Sequence, residues 1–182
     1  FENDGSLKWE VPVADDAQPA LADLDNDGVV EIVYGRRVYR PDGTLAWGYD
    51  RDDFIPVVVD LDSDGTLEVV SNGRAYDAAG VELWDSGRRG VMGAVGNFDS
   101  DDHPEIAIRT PDSVTLLDHG GAVVWGPVPI PGGYGGALTV ADVDADGEPE
   151  IGVAGARAYV VLEADGSLKW SAPTQDLSSA IT

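Results

Sequence analysis

The strongest constraint on this chain is a nine-residue acidic pattern that occurs four times. It runs Asp23-Leu24-Asp25-Asn26-Asp27-Gly28-Val29-Val30-Glu31, then Asp60-Leu61-Asp62-Ser63-Asp64-Gly65-Thr66-Leu67-Glu68. The third copy is Asn97-Phe98-Asp99-Ser100-Asp101-Asp102-His103-Pro104-Glu105, and the fourth is Asp142-Val143-Asp144-Ala145-Asp146-Gly147-Glu148-Pro149-Glu150. Oxygen donors at positions 1, 3, 5 and 9, with the carbonyl at position 7 free to turn inward, suit a hard cation. Calcium accepts about six to eight oxygens in a flexible shell, whereas magnesium wants fewer protein ligands and stricter geometry. Asp/Gly hairpins in which an aspartate caps its own backbone explain one aspartate per turn. They do not explain three and a glutamate at fixed spacing.

The loop is not an EF-hand, which needs a glutamate at position 12 and a helix on each side. Position 12 is Tyr34, Ser71, Ile108 and Val153 in the four copies. The flanks are Gln18-Pro-Ala-Leu-Ala and Phe54-Ile-Pro-Val-Val-Val before, and Glu31-Ile-Val-Tyr, Glu68-Val-Val-Ser, Glu105-Ile-Ala-Ile and Glu150-Ile-Gly-Val after. Short β-branched runs bounded by Gly and Pro read as strands. Each acidic loop therefore joins two strands, with its glutamate opening the second.

The loops start at 23, 60, 97 and 142, which are 37, 37 and 45 residues apart. A second marker keeps step: Gly5-Ser-Leu-Lys-Trp9, Gly43-Thr-Leu-Ala-Trp47, Gly80-Val-Glu-Leu-Trp84, Gly121-Ala-Val-Val-Trp125 and Gly166-Ser-Leu-Lys-Trp170. Between loop and tryptophan lie further strand-like runs closed by turns such as Pro41-Asp-Gly and Ala164-Asp-Gly. One repeat thus reads strand A, acidic loop, strand B, turn, strand C, Gly turn, strand D with Trp. Four antiparallel strands per ~40 residues describe a propeller blade, whereas a β-solenoid coil repeats over a much shorter span.

The fold expected is all-β, a single β-propeller domain over 1–182. Residues 1–17 would hold an extra N-terminal strand D from a preceding blade, and residues 18–50, 51–88, 89–130 and 131–175 blades one to four. Residues 176–182 would form a linker, the four blades being half of a larger ring rather than a self-closed one. A tryptophan at one place in every strand D reads as filler between adjacent blades. A sugar-stacking platform is the competing reading. Lys8-Trp9 and Lys169-Trp170 show the polar/apolar alternation of a half-buried strand.

The chain has 182 residues, 43% hydrophobic and 25% charged, with a formal net charge of -23 and no cysteine. Such composition is globular, and nothing in it supplies a disulfide framework. The patterned loop positions hold fifteen carboxylates (four, four, three and four). Four divalent ions would offset eight charges and leave about -15. So acidic a surface excludes nucleic acid, whose phosphates need a basic partner. No apolar run reaches the length of a membrane span and no signal peptide opens the chain. Weak calcium loops fill where calcium is millimolar, so an extracellular or cell-surface setting is expected.

The pattern D-x-D-x-D-G-x-x-E between two strands, once per ~40 residues, resembles the FG-GAP repeat of integrin α-subunit propellers and of many secreted bacterial proteins, some polysaccharide lyases among them. The resemblance covers Gln18 to Trp170. It implies up to four Ca²⁺, one in each A–B hairpin on one face of the ring, rigidifying the blade. It places ligands at Asp23, Asp25, Asp27, the Val29 carbonyl and Glu31, and at Asp60, Asp62, Asp64, the Thr66 carbonyl and Glu68. The third set is Asn97, Asp99, Asp101, the His103 carbonyl and Glu105; the fourth is Asp142, Asp144, Asp146, the Glu148 carbonyl and Glu150. Loop three departs, with Asn97 at position 1 and Asp102 in place of glycine. It has less ligand charge and a costlier turn, and is expected to bind most weakly.

The two histidines, His103 and His119, read as surface residues, and no nucleophile elbow or phosphate loop occurs. Gly132-Gly-Tyr-Gly-Gly136 reads as a D–A linker, and the pairs Arg36-Arg37 and Arg88-Arg89 as turn-edge salt-bridging groups. The expected function is a non-catalytic interaction or adhesion module with a protein or glycan ligand on the propeller face. A carbohydrate-binding propeller and part of a polysaccharide lyase are the alternatives. Two copies joined head to tail would complete an eight-bladed homodimeric ring.

Overall fold

A computed structural model describes residues 1–12, 18–49, 55–90, 92–133 and 136–174. These residues form sixteen strands and no helix. The first sheet contains β1 (Pro19–Ala22), β2 (Glu31–Tyr34), β3 (Arg37–Tyr39) and β4 (Leu45–Gly48). The second contains β5 (Val57–Val59), β6 (Glu68–Ser71), β7 (Arg74–Tyr76) and β8 (Glu82–Asp85). The third contains β9 (Met92–Gly96), β10 (Glu105–Arg109), β11 (Ser113–Leu117) and β12 (Val123–Pro129). The last contains β13 (Leu138–Ala141), β14 (Glu150–Ala154), β15 (Ala158–Leu162) and β16 (Leu168–Pro173). Each sheet takes its strands in chain order with antiparallel neighbours, as the repeat predicts for a blade.

Burial follows strand position. The second strands β6 and β10 are buried throughout, while the fourth strands β4, β8, β12 and β16 are largely exposed. The core lies between sheets rather than within one. Leu24, Val33 and Val38 pack with Val69 of the next sheet, and Leu61, Val70 and Ala75 pack with Ile106, Ile108 and Leu117. Val114, Leu116 and Ile130 likewise meet Ile151, Val153 and Val160. A strand buried on both faces selects the β-branched runs seen in the sequence.

The tryptophans fasten each blade to the next. Trp9 donates its indole N–H to the Pro41 carbonyl at 2.7 Å, Trp47 to Ala78 at 2.9 Å, Trp84 to His119 at 2.9 Å and Trp125 to Ala164 at 2.8 Å. In every case the acceptor stands two residues before the marker glycine of the following repeat. That glycine lies under the ring: a Cβ on Gly80 would sit 2.5 Å from Trp47, and one on Gly121 2.5 Å from Trp84. The filler reading holds for these four tryptophans.

Two expectations are corrected. Residues 7–11 form no strand and pair with none of the described strands; Trp9 is seated on the first blade even so. Lys169 does not face solvent by simple alternation. Each strand D carries a register shift against strand C, as between Val161 and Leu162, so one extra residue bulges just before the tryptophan. That extra residue is Ala46, Leu83 and Lys169 in blades one, two and four. The expected linker 176–182 lies outside the described residues, as do residues 134–135 of the glycine-rich segment. On either side of that gap, the buried Arg109 guanidinium donates to the carbonyls of Gly133, at 3.1 Å, and Gly136.

Gly80 and Gly87 both have positive φ, 85° and 70°, but no atom lies within 4 Å of a Cβ on Gly87. Gly87→Ala should cost about 1 kcal/mol of unfolding free energy from the left-handed backbone alone. Gly80→Ala, which must also displace the Trp47 ring, should cost about 2–4 kcal/mol. Urea denaturation of both variants checks the difference.

Candidate metal centre

Strand pairing holds each acidic loop closed at its mouth. The ninth-position glutamate stands opposite the last residue of strand A, as Ala22↔Glu31, Val59↔Glu68, Gly96↔Glu105 and Ala141↔Glu150. One oxygen of each glutamate accepts the backbone N–H of loop position 2. The distances are 3.1 Å from Leu24 to Glu31, 2.7 Å from Leu61 to Glu68, 2.6 Å from Phe98 to Glu105 and 2.8 Å from Val143 to Glu150. Glu68, Glu105 and Glu150 are buried.

The loop backbone turns the aspartates toward one centre. Asp23 accepts the Gly28 N–H at 2.9 Å, Asp60 the Gly65 N–H at 3.0 Å and Asp142 the Gly147 N–H at 3.0 Å. Those glycines have φ of 86°, 92° and 98°, a region a side chain disfavours. The position-5 aspartates accept the N–H of position 7, as Asp27 from Val29 and Asp64 from Thr66, both at 2.7 Å. Ligand-type oxygens of Asp23, Asp25 and Asp27 all lie within 4.8 Å of one another. The same holds for Asp60, Asp62 and Glu68, for Asp99, Asp101 and Glu105, and for Asp142, Asp144 and Asp146.

These groups fit a bound cation. Burial pushes the Glu68 carboxyl above its ordinary value, and the charges of Asp62, Asp60 and Asp64 push it the same way against the Leu61 N–H. Glu105 is raised by burial and by Asp99 and Asp101. In loop two, Asp60 Oδ1 is buried without a hydrogen-bond partner. An orphaned carboxylate oxygen among like charges is what a divalent ion would satisfy.

Loops three and four differ. In loop three Asn97 donates to the Asp101 carbonyl at 2.6 Å instead of capping a glycine. Asp101 also belongs to a second group with His103 and His119, whose rings stack at 4.3 Å. The surface histidines therefore flank the loop, with His103 Nδ1 3.6 Å from Asp101. In loop four the bulged Lys169 turns inward. Its Nζ lies 2.6 Å from Asp144, 3.1 Å from Glu150 and 3.0 Å from Glu163. Hydrogen bonds to Asp144 and Glu163 hold this ammonium well above its ordinary value, and Lys169 in turn lowers Asp144.

In blades one and two the bulge residues leave the corresponding space open. Ala46 lines a cleft of about 550 Å³ with Asp25, Asp27 and Glu31, and Leu83 one of about 350 Å³ with Asp62, Asp64 and Glu68. Sequence inspection missed Lys169 because only the register shift turns it into its loop.

Neighbouring loops also touch. Leu67 N–H donates to the Leu24 carbonyl at 2.9 Å, Asn26 to the Gly65 carbonyl, and Ser63 to the Asp102 carbonyl at 3.3 Å. Loops one to three therefore make one row. Of the paired arginines, Arg89 holds Asp85 at 2.7 and 2.8 Å, well below the usual carboxylate range, and Arg36 lies over the Tyr49 ring.

No family model and no curated protein matches the chain. Solved structures do. The V. cholerae biofilm matrix protein Bap1 aligns with a TM-score of 0.55 and 20% identity over 91% of this chain and 41% of its own. Rhamnogalacturonan lyase YesW aligns at 0.56 and 20% over 84% of this chain and 30% of its own. The exotype rhamnogalacturonan lyase YesX gives 0.56 and 20%, covering 84% and 31%. At this identity the likeness establishes the all-β fold. The chain spans well under half the length of each neighbour. No helix among the described residues is long and apolar enough to cross a membrane.

Two outcomes follow from the loop geometry. Glu68→Gln keeps the acceptor for Leu61 N–H but removes a charge that opposes folding when ionised. In chelator at neutral pH this variant should be more stable than wild type by about 1 kcal/mol. The gain should fade as pH falls through the raised value of the folded Glu68 carboxyl towards 4.5, and be absent below 4.5, where Glu68 is protonated in both states. In excess calcium the order should invert. Lys169→Met should tighten calcium binding at loop four by about tenfold or more, read by calorimetry, because the ion no longer displaces an ammonium.

Proposed function

We propose that the chain is a calcium-stabilised, non-catalytic adhesion module of an extracellular or cell-surface protein, of the FG-GAP repeat type. The observation that carries this reading is the recurrence, once per sheet, of clustered carboxylates above a glutamate held at the mouth of the A–B hairpin. Calcium is the cation that suits such oxygen-rich, flexible loops, with the carbonyls of Val29, Thr66, His103 and Glu148 completing the shells. Bound ions would neutralise the row of loops on one face. A protein or glycan ligand would be met by the rigid surface so formed, and Bap1, a biofilm matrix protein by description, supports an adhesive role.

A second reading, part of a polysaccharide lyase or a sugar-binding propeller, is favoured by the two lyase neighbours and by one local feature. Trp170 stacks on Tyr159 at 5.8 Å and is 46% exposed, an aromatic surface of the kind a pyranose ring covers.

If calcium binds only the folded form, each site should add RT ln(1 + [Ca]/Kd), about 2.7 kcal/mol at ~100-fold excess over Kd. Thermal melts in calcium and in chelator should therefore differ sharply, and superimposable curves would refute the calcium role. Retention on a glycan array with no cleavage of rhamnogalacturonan would support the adhesive reading. Calcium-dependent cleavage with release of an unsaturated product would establish the lyase instead.

A further inference from the structure

Both histidines of the chain stand in one blade and meet face to face. His103 occupies position 7 of loop three, and His119 lies two residues before the marker glycine Gly121, in the turn between β11 and β12. Their ring centroids are 4.3 Å apart. In the other repeats the same two places hold Val29 and Pro41, Thr66 and Ala78, and Glu148 and Ala164. In blade two, Thr66 and Ala78 line one cleft of about 350 Å³ beside Asp62, Asp64 and Glu68. The repeat geometry thus brings these two positions together in front of an acidic loop. Of the four repeats, the third alone puts an imidazole at each.

The two residues are held in place by their backbones. The His119 carbonyl accepts the Trp84 indole N–H at 2.9 Å, which fixes the turn. The His103 backbone N–H donates to Asp101 Oδ1 at 2.7 Å, which fixes the loop, and His103 Nδ1 lies 3.6 Å from the same oxygen. A ring nitrogen of each histidine and a carboxylate oxygen of Asp101 all lie within 4.8 Å of one another. His119 Nδ1 is buried with no hydrogen-bond partner among the described residues, a condition that native proteins keep rare. The His103 side chain is 34% exposed, so the group opens to solvent.

Two imidazoles and one carboxylate are not a calcium set. Calcium and magnesium take oxygen, whereas imidazole suits first-row ions such as zinc, copper and nickel. Zinc accepts His and Asp donors at about 2.0–2.2 Å, and three protein ligands leave its fourth position for water. We propose that Asp101, His103 and His119 form a zinc-type site beside loop three, sharing Asp101 with the oxygen cluster of Asp99, Asp101 and Glu105. An ion there would join the A–B loop of blade three to the turn that seats Trp84. It would do so where loop three has lost a ligand charge at Asn97 and the glycine at position 6. The two rings carry this inference, and it stands whether or not calcium fills the acidic loops.

The test is a Zn²⁺ titration of the 182-residue chain in excess calcium, followed by the imidazole ring signals in NMR. The chain has two histidines, so these signals report this group alone even where zinc also meets acidic loops. Both rings should shift together along one binding curve. His103→Thr and His119→Ala install the blade-two residues and keep the carbonyl that accepts the Trp84 proton. Each should weaken zinc binding at the remaining ring at least about tenfold, the loss that even an outer partner of a metal ligand produces. Rings that stay unmoved in millimolar zinc overturn the proposal and leave a stacked packing pair. So does a shift of one ring without the other, or a titration of either variant that matches wild type.

Discussion

A glutamate at the mouth of each acidic hairpin, buried in loops two, three and four, is the constraint on which the rest of the structure depends. It joins the two strands by one oxygen, through the backbone N–H of loop position 2, and leaves its charge among aspartates. Burying such a carboxylate without a countercharge costs several kcal/mol. In the three loops that bury it, a cation beside the glutamate, from solvent or from the chain, would offset that cost. Loops one and two present open clefts beside their carboxylates, whereas in loop four the chain inserts Lys169. The repeats are alike in backbone yet unlike in their electrostatic solution.

Two sets of contacts turn four small sheets into one body. At the loop face, backbone and side-chain hydrogen bonds tie loop one to loop two and loop two to loop three. Near the outer strands, the indoles of Trp9, Trp47, Trp84 and Trp125 reach over the next glycine turn. Among the described residues both act between consecutive repeats, as does the apolar core, so stability is a sum of repeat and neighbour terms. Ordering one acidic loop therefore bears on the next blade through the hydrogen bond between Leu24 and Leu67.

Much of this was legible in the sequence. The spacing of Asp23, Asp25, Asp27 and Glu31 separates a strand-flanked loop from an EF-hand, and the step of Gly43 and Trp47 marks the blade interface. These signals are local and repeat, so pattern alone exposes them. What stayed hidden depends on register or on proximity between segments distant in sequence. Lys169 alternates with Trp170 as a surface lysine would, and only the bulge between Val161 and Leu162 turns it onto Glu150. Leu7 to Val11 has the residues of a strand but pairs with none of the described strands. The pairing of His103 with His119 joins two turns sixteen residues apart in the chain, a proximity no local pattern encodes.

The most direct measurement is a crystal structure grown in calcium, with metals located by anomalous scattering. The account predicts ions in loops one and two at full occupancy, each bound by its position-1, -3 and -5 aspartates and by Glu31 or Glu68, with weaker density in loops three and four. Loops empty of metal, with Glu68 still buried against Leu61 N–H and no cation beside Asp60, would contradict it.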